Sequence, residues 1–172
     1  MNLRSIDSLS KRKVPQRFVP WGDVPWKANK GLIAERYSDM GFEAVDGWGD
    51  RHRYLQENSA ARILSYDRWT REPLLRTLSP AEKYDLVLGI VEDGLASNIG
   101  DFLDQTIGGD GTFPSWWGLC EGSAPASVIY PEPVKPVVLH SEAYNIDVPF
   151  YGPDIKGLAT MLWSRFNQNL NL

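Results

Sequence analysis

Between Leu78 and Asp104 the chain reads LSPAEKYDLVLGIVEDGLASNIGDFLD. Ser79-Pro80-Ala81-Glu82 has the form of a capping box. The Ser79 hydroxyl accepts from the Glu82 amide, the Glu82 carboxylate reaches back, and Pro80 suits the first helical position. Tyr84, Val87, Leu88, Val91, Leu95, Ile99, Phe102 and Leu103 then recur at helical spacing, which predicts a helix over 80–104. Gly89, Gly94 and Gly100 each weaken it by about 1 kcal/mol relative to Ala, so a kink or break is expected near Gly94 or Gly100.

On the N-terminal side, residues 51–77 are weakly periodic, with Leu55, Ile63, Leu64, Trp69 and Leu74 as expected core contacts. Residues 20–50 carry Trp21, Trp26 and Trp48 among glycines and polar turns, and Leu32, Ile33 and Tyr37 are spaced to share one face of a short helix over 31–37. Residues 1–19 read as a flexible basic arm containing Lys11, Arg12 and Lys13, followed by a single domain over 20–172. On the C-terminal side, residues 106–118 form a glycine-rich connection that lacks the lysine of a phosphate-cradling loop. Seven of the twelve prolines fall between 114 and 153, which forbids long helices there outside the residues after Cys120. Val134–His140 and Tyr144–Phe150 read as two strands joined by Ser141-Glu142-Ala143. Asp154, after Pro153, can cap a helix over 154–166 in which Ile155, Leu158, Ala159, Leu162, Trp163 and Phe166 share a face. Helices, then strands, then a helix predict an α+β fold with the helical N-terminal part packed on a small antiparallel sheet.

Composition narrows the function classes. The 172 residues suffice for one domain with a core, and 42% hydrophobic content with 12% aromatics excludes a disordered chain. A net charge of -4 argues against non-specific nucleic-acid or membrane-surface binding. No apolar run reaches the length of a membrane span or a Sec signal peptide. One cysteine excludes an intrachain disulfide, a CxxC zinc site and an iron–sulfur cluster, and two histidines leave little material for a His-rich metal site; no cofactor is expected. Paired acids such as Asp101 and Asp104, and Glu92, Asp93 and Asp110, read as solvated.

The lone cysteine sits in Trp116-Trp117-Gly118-Leu119-Cys120-Glu121-Gly122-Ser123-Ala124-Pro125-Ala126. A cysteine that follows a loop and precedes small residues can open a short helix, where unpaired amides and the helix dipole favour a thiolate. Trp116, Trp117, Gly118, Glu121 and Gly122 are the candidate substrate contacts. The two tryptophans can wall a cleft or pack the core, and the two glycines would let a substrate backbone approach. A buried structural thiol is the competing reading.

Four ordered blocks carry a resemblance. They are Trp26 with Gly31-Leu32-Ile33-Ala34-Glu35-Arg36-Tyr37-Ser38-Asp39, then Leu78 to Leu86, then Trp117 to Ala126, then Pro153-Asp154-Ile155-Lys156-Gly157-Leu158-Ala159-Thr160-Met161-Leu162-Trp163. Over about residues 25–165 the chain resembles the transglutaminase elicitor family, first associated with oomycete cell-wall proteins and also found in bacteria. The resemblance implies a papain/transglutaminase-like fold with Cys120 as the nucleophile of an acyl transfer, on a helix packed against the sheet. A glutamine carboxamide or peptide amide would become a thioester and pass to an amine or water. It implies as donor a glutamine-containing protein or peptide, such as a cell-wall peptide, and a secreted or delivered effector. Glu121 and Ser123 depart from the family block, Cys-His-Gly-Trp-Ala-Pro, and a carboxylate at Glu121 disfavours a thiolate by charge.

The family's catalytic His and Asp lie past the helix expected to end near Phe166. The domain is therefore expected to be incomplete, with the base on a missing or separate C-terminal polypeptide. Within the chain, His140 follows Cys120 by 20 residues at a strand end, a spacing that favours a surface residue over a base, and His52 lies in a charged stretch. The alternatives are a non-catalytic recognition module or degenerate relative, and a cysteine peptidase or amidase acting on cell-wall peptides.

Overall fold

A computed structural model describes residues 19–22, 26–107 and 112–164. The basic cluster at 11–13, Asp110 and Phe166 lie outside the described residues. Two 3-10 turns, Ala28–Lys30 and Leu32–Ala34, precede the helices α1 (Met40–Glu43), α2 (Trp48–Glu57), α3 (Ala60–Leu64), α4 (Arg68–Thr77), α5 (Pro80–Leu88), α6 (Leu95–Thr106) and α7 (Cys120–Ile129). The hairpin of β1 (Val137–Ser141) and β2 (Ile146–Phe150) follows, and α8 (Gly152–Trp163) closes the described chain. The fold is thus mixed α+β, with a small two-stranded antiparallel sheet in which Leu139 pairs with Val148 and His140 with Asp147.

The expected helix over 80–104 is two helices. The capping box forms as the sequence predicts: Ser79 Oγ accepts from the Glu82 amide at 3.2 Å, and Glu82 Oε2 accepts from the Ser79 amide at 3.0 Å. The break runs from Gly89, which ends α5 in the left-handed region (φ 77°), to Gly94, the N-cap of α6 and one of the two positions expected. The chain then returns so that Asp85 accepts from the Leu95 and Ala96 amides at 2.6 and 2.9 Å, capping α6 from outside its own segment. Gly94 is required at this junction, since a Cβ there would lie 2.3 Å from Asp85 Cγ. Gly100 stays helical.

Three further expectations are corrected. Residues 31–37 form no single helix: Gly31 (φ 100°) and Leu32 (φ 52°) are left-handed, and the chain is extended by Glu35. Trp69 is 84% exposed, because α4 turns the neighbouring Leu75 inward and Trp69 lies on the opposite side. In α8 the buried residues are Asp154, Gly157, Thr160 and Met161; Ile155 and Leu158 of the expected face pack on the core half-buried, while Leu162 and Trp163 are exposed. Small residues decide that face: a Cβ at Gly157 would meet the Trp26 ring at 2.8 Å, so only glycine lets the ring seat there.

Two apolar clusters form the core. One gathers Trp26, Leu32, Ile33, Trp48, Ile99, Leu103, Leu119 and Met161. The other packs Ile146, Val148 and Phe150 of β2 on Ile63, Leu75, Leu78 and Leu86, so the N-terminal helices cover the sheet's inner face. α7 packs chiefly on α8, whereas α4 and α5 carry the sheet. The expectation that the cysteine helix rests on the sheet is corrected accordingly, since Gly122 and Thr160 bring the two helices into close contact.

Buried charges cross-link the elements. Arg36 donates to Glu82 through Nε at 2.8 Å and to the Asn58 carbonyl at 2.7 Å. Lys83 Nζ donates to Asp154 Oδ2 at 2.7 Å with both side chains fully buried. Tyr37 donates to Asp154 Oδ1 at 3.0 Å, and the Tyr151 amide donates to Oδ2 at 2.7 Å. Asp154 is therefore the third helical residue reaching back to Tyr151, not the cap itself, and its other partners are Lys83 and Tyr37. Burial pulls the Lys83 ammonium below the usual lysine range against the opposing pull of Asp154, and pushes the Tyr37 phenol up.

Candidate functional site around Cys120

The segment before Cys120 is held by main-chain bonds. The Trp117 amide donates to the Pro114 carbonyl at 3.0 Å, closing a turn. The Ala28 amide donates to the Trp117 carbonyl at 2.9 Å and the Leu119 amide to the Trp26 carbonyl at 3.1 Å, a short antiparallel bridge. The fully buried Leu119 then anchors the start of α7, and its carbonyl accepts from the Gly122 and Ser123 amides. Cys120 is the first residue of this ten-residue helix, and it is exposed. Cys120 thus stands in the first turn, at the positive end of the helix dipole, followed by the exposed Glu121. The helix continues through Pro125 to Ile129.

The candidate substrate contacts divide. Trp116 is 78% exposed and flanks the thiol's approach in sequence, while Trp117 is half-buried against Phe113, ring centroids 5.2 Å apart. Gly118 and Gly122 are buried. Their lack of a Cβ serves the protein's own backbone: a Cβ would lie 2.4 Å from the Trp26 carbonyl oxygen at Gly118 and 2.1 Å from that of Thr160 at Gly122. The close approach expected for a substrate is thus already used internally on that side.

No hydrogen bond joins either histidine to Cys120 among the described residues. His140 is exposed on β1, where Nδ1 pairs at 2.8 Å with Asp147 directly across the hairpin. That hydrogen bond holds its pKa above the ordinary histidine value. His52 pairs through Nδ1 with Asp104 Oδ2 at 2.8 Å and stacks on Trp48 at 5.1 Å, and the Trp48 indole donates to Asp104 Oδ1 at 2.6 Å. The α6 backbone closes on its other nitrogen, since a Cβ at Gly100 would lie 2.9 Å from Nε2. Sequence reading missed this imidazole–carboxylate pair because its members are 52 residues apart, and it took Asp104 as solvated.

A cavity of about 620 Å³ opens near the other end of α7, lined by Trp21, Tyr84, Tyr130, Pro133, Ile155, Leu158 and Leu162. Lys156 closes one edge, donating to the Gly22 carbonyl and to Glu132, both at 2.8 Å, with its ammonium 5.3 Å from the Trp21 ring centre. Cys120 is not among its lining residues. Among the described residues no three or more His, Cys, Asp or Glu side chains converge as metal ligands, and no helix is long and apolar enough to cross a membrane. A comparison with known proteins returns no matching family model, no similar curated protein and no similar solved structure.

Proposed function

We propose that Cys120 is the nucleophile of a cysteine acyl-transfer centre in a papain/transglutaminase-like domain, and that the proton-accepting base comes from outside the described residues. The single observation that carries this reading is the exposed thiol on the first residue of α7, fixed from behind by Gly118 and Gly122. The thiolate attacks the carboxamide carbon of a glutamine or peptide amide, the C–N bond breaks, ammonia or an amine leaves with the proton, and a thioester remains for an amine or water to resolve. The helix amides are the natural donors to the oxyanion of each tetrahedral intermediate. Both histidines are engaged with aspartates elsewhere, so the chain contributes the nucleophile and a partner polypeptide the imidazole.

The test supplies the base chemically. With added imidazole, an activated ester of N-acylglutamine should place one acyl group on Cys120, visible by intact mass and removed by hydroxylamine. Cys120→Ser should not form this thioester. Acylation confined to lysines, or none at all, would overturn the reading.

The cavity beside Trp21 favours a second reading, a non-catalytic binding module that recognises an apolar partner. In that case Cys120→Ser would leave binding of the apolar partner unchanged.

A further inference from the structure

We propose that the cavity between α4 and the hairpin, remote in sequence from Cys120 and independent of the acyl-transfer reading, binds a phosphoryl group. The cavity measures about 490 Å³ and takes Arg68, Arg71 and Glu72 from α4, His140 from β1, Asn145 from the turn and Asp147 from β2. Arg68 and Arg71 are three residues apart on the helix and so project on one face.

The accounting of charge singles them out. Asp147 is engaged by His140 at 2.8 Å, and Glu72 faces Arg76 at 3.9 Å. Asp67, next to Arg68, is committed to capping α4, accepting from the Trp69 and Thr70 amides at 2.9 and 3.2 Å and from the Thr70 hydroxyl at 2.7 Å. Glu142 is exposed in the hairpin turn and bears on His140. Arg71 makes one 3.4 Å bond to the Leu64 carbonyl, and Arg68 has no hydrogen-bond or ion-pair partner among the described residues. Two guanidinium forks therefore face a cavity with no carboxylate paired to either, in a protein whose net charge is -4.

Guanidinium geometry selects the ligand. One fork satisfies a carboxylate with two parallel bonds, and a second fork adds a charge that a single carboxylate leaves uncompensated. A phosphate monoester presents three oxygens and a charge of about -1.5 to -2 near neutral pH, matching two unpaired cations. Asn145 also lines the cavity and carries a neutral side-chain donor.

The experiment is an amide and guanidinium NMR titration of the full chain at constant ionic strength, with inorganic phosphate in one arm and O-phosphoserine in the other. Saturable shifts are expected at Arg68, Arg71 and Asn145. The arm that saturates at the lower concentration tells whether the free ion or a monoester is preferred. Arg68→Gln and Arg71→Gln should each weaken binding by about tenfold. Arg53→Gln, which removes an equal charge from exposed α2, should not. The proposal is overturned if neither arm saturates, if Arg53→Gln weakens binding equally, or if acetate binds as well as phosphate.

Discussion

The interior and the Cys120 corner use the same four sequence blocks in opposite ways. Arg36 and Tyr37 from the first block, Glu82, Lys83 and Asp85 from the second, and Asp154 from the fourth are all wholly or mostly buried, and each is engaged by a partner from another part of the chain. The third block instead hides its glycines and Leu119 and leaves Cys120 and Glu121 in solvent. The residues that make up the first, second and fourth blocks are largely scaffold, and that scaffold leaves one thiol exposed to solvent.

Breaking the interior should have the largest effect. Asp154→Asn strands the Lys83 ammonium in the core, and loss of one member of a buried pair costs about 3–5 kcal/mol. Urea unfolding should show it, and Lys83→Met combined with Asp154→Leu should recover much of the loss. If the single variant is as stable as the parent, the buried pair is not what joins α5 to α8.

Next comes Asp85, whose carboxyl is pushed up to about 6 by burial from an ordinary value of 3.8, against the pull of the two α6 amides. A raised folded-state value means that the native state binds the proton more tightly than the unfolded chain. The associated stability is in full below about 4 and is lost as pH rises through 6, by up to about 3 kcal/mol. Asp85→Asn should flatten the stability profile between pH 4 and 6, measured by denaturation at each pH; an unaltered slope would remove Asp85 as its source.

The corner is sharpened by smaller changes. Gly122→Ala forces a methyl group against the Thr160 carbonyl and should cost about 1–3 kcal/mol by overpacking, with an accompanying change in the alkylation rate of Cys120. Ser79→Ala should cost about 1 kcal/mol through the lost cap, without touching that rate. Trp116→Ala, at a side chain exposed to solvent, should leave the urea midpoint within about 0.5 kcal/mol of the parent. Under the acyl-transfer reading it should slow acylation of Cys120 by a glutamine ester, and an unchanged acylation rate would remove Trp116 from the substrate contacts.

Much of the local structure was legible. The capping box, the hairpin and the opening of a helix at Cys120 follow from short-range rules; the hairpin's strands are shorter than the expected 134–140 and 144–150, β1 starting at Val137 and β2 at Ile146, and Ser141, expected in the turn, pairs with Ile146. What misled was apolar periodicity. In α5 the sequence points inward with Tyr84 and Leu88, yet both are exposed and Glu82, Lys83 and Asp85 are buried. A charged side chain goes inside only if its partner arrives there, and the partners Arg36, Asp154 and the Leu95 amide lie 10 to 71 residues away. No periodicity encodes such a pairing. The same holds for Gly122 in α7 and Gly157 in α8, set against Thr160 and the Trp26 ring, neighbours that sequence spacing does not reveal. At the site, the position of Cys120 was readable from its loop and small neighbours, whereas the His52–Asp104 pair is a product of tertiary assembly and the His140–Asp147 pair depends on the exact register of the hairpin.

The most direct measurement of the central claim is the rate of alkylation of Cys120 by iodoacetamide in the native protein, set against the same thiol in urea at the same pH. A thiol held at the positive end of α7 and open to solvent should react several-fold faster when folded, and faster again in Glu121→Gln. A native rate below that of the unfolded chain would contradict the account and return Cys120 to the scaffold.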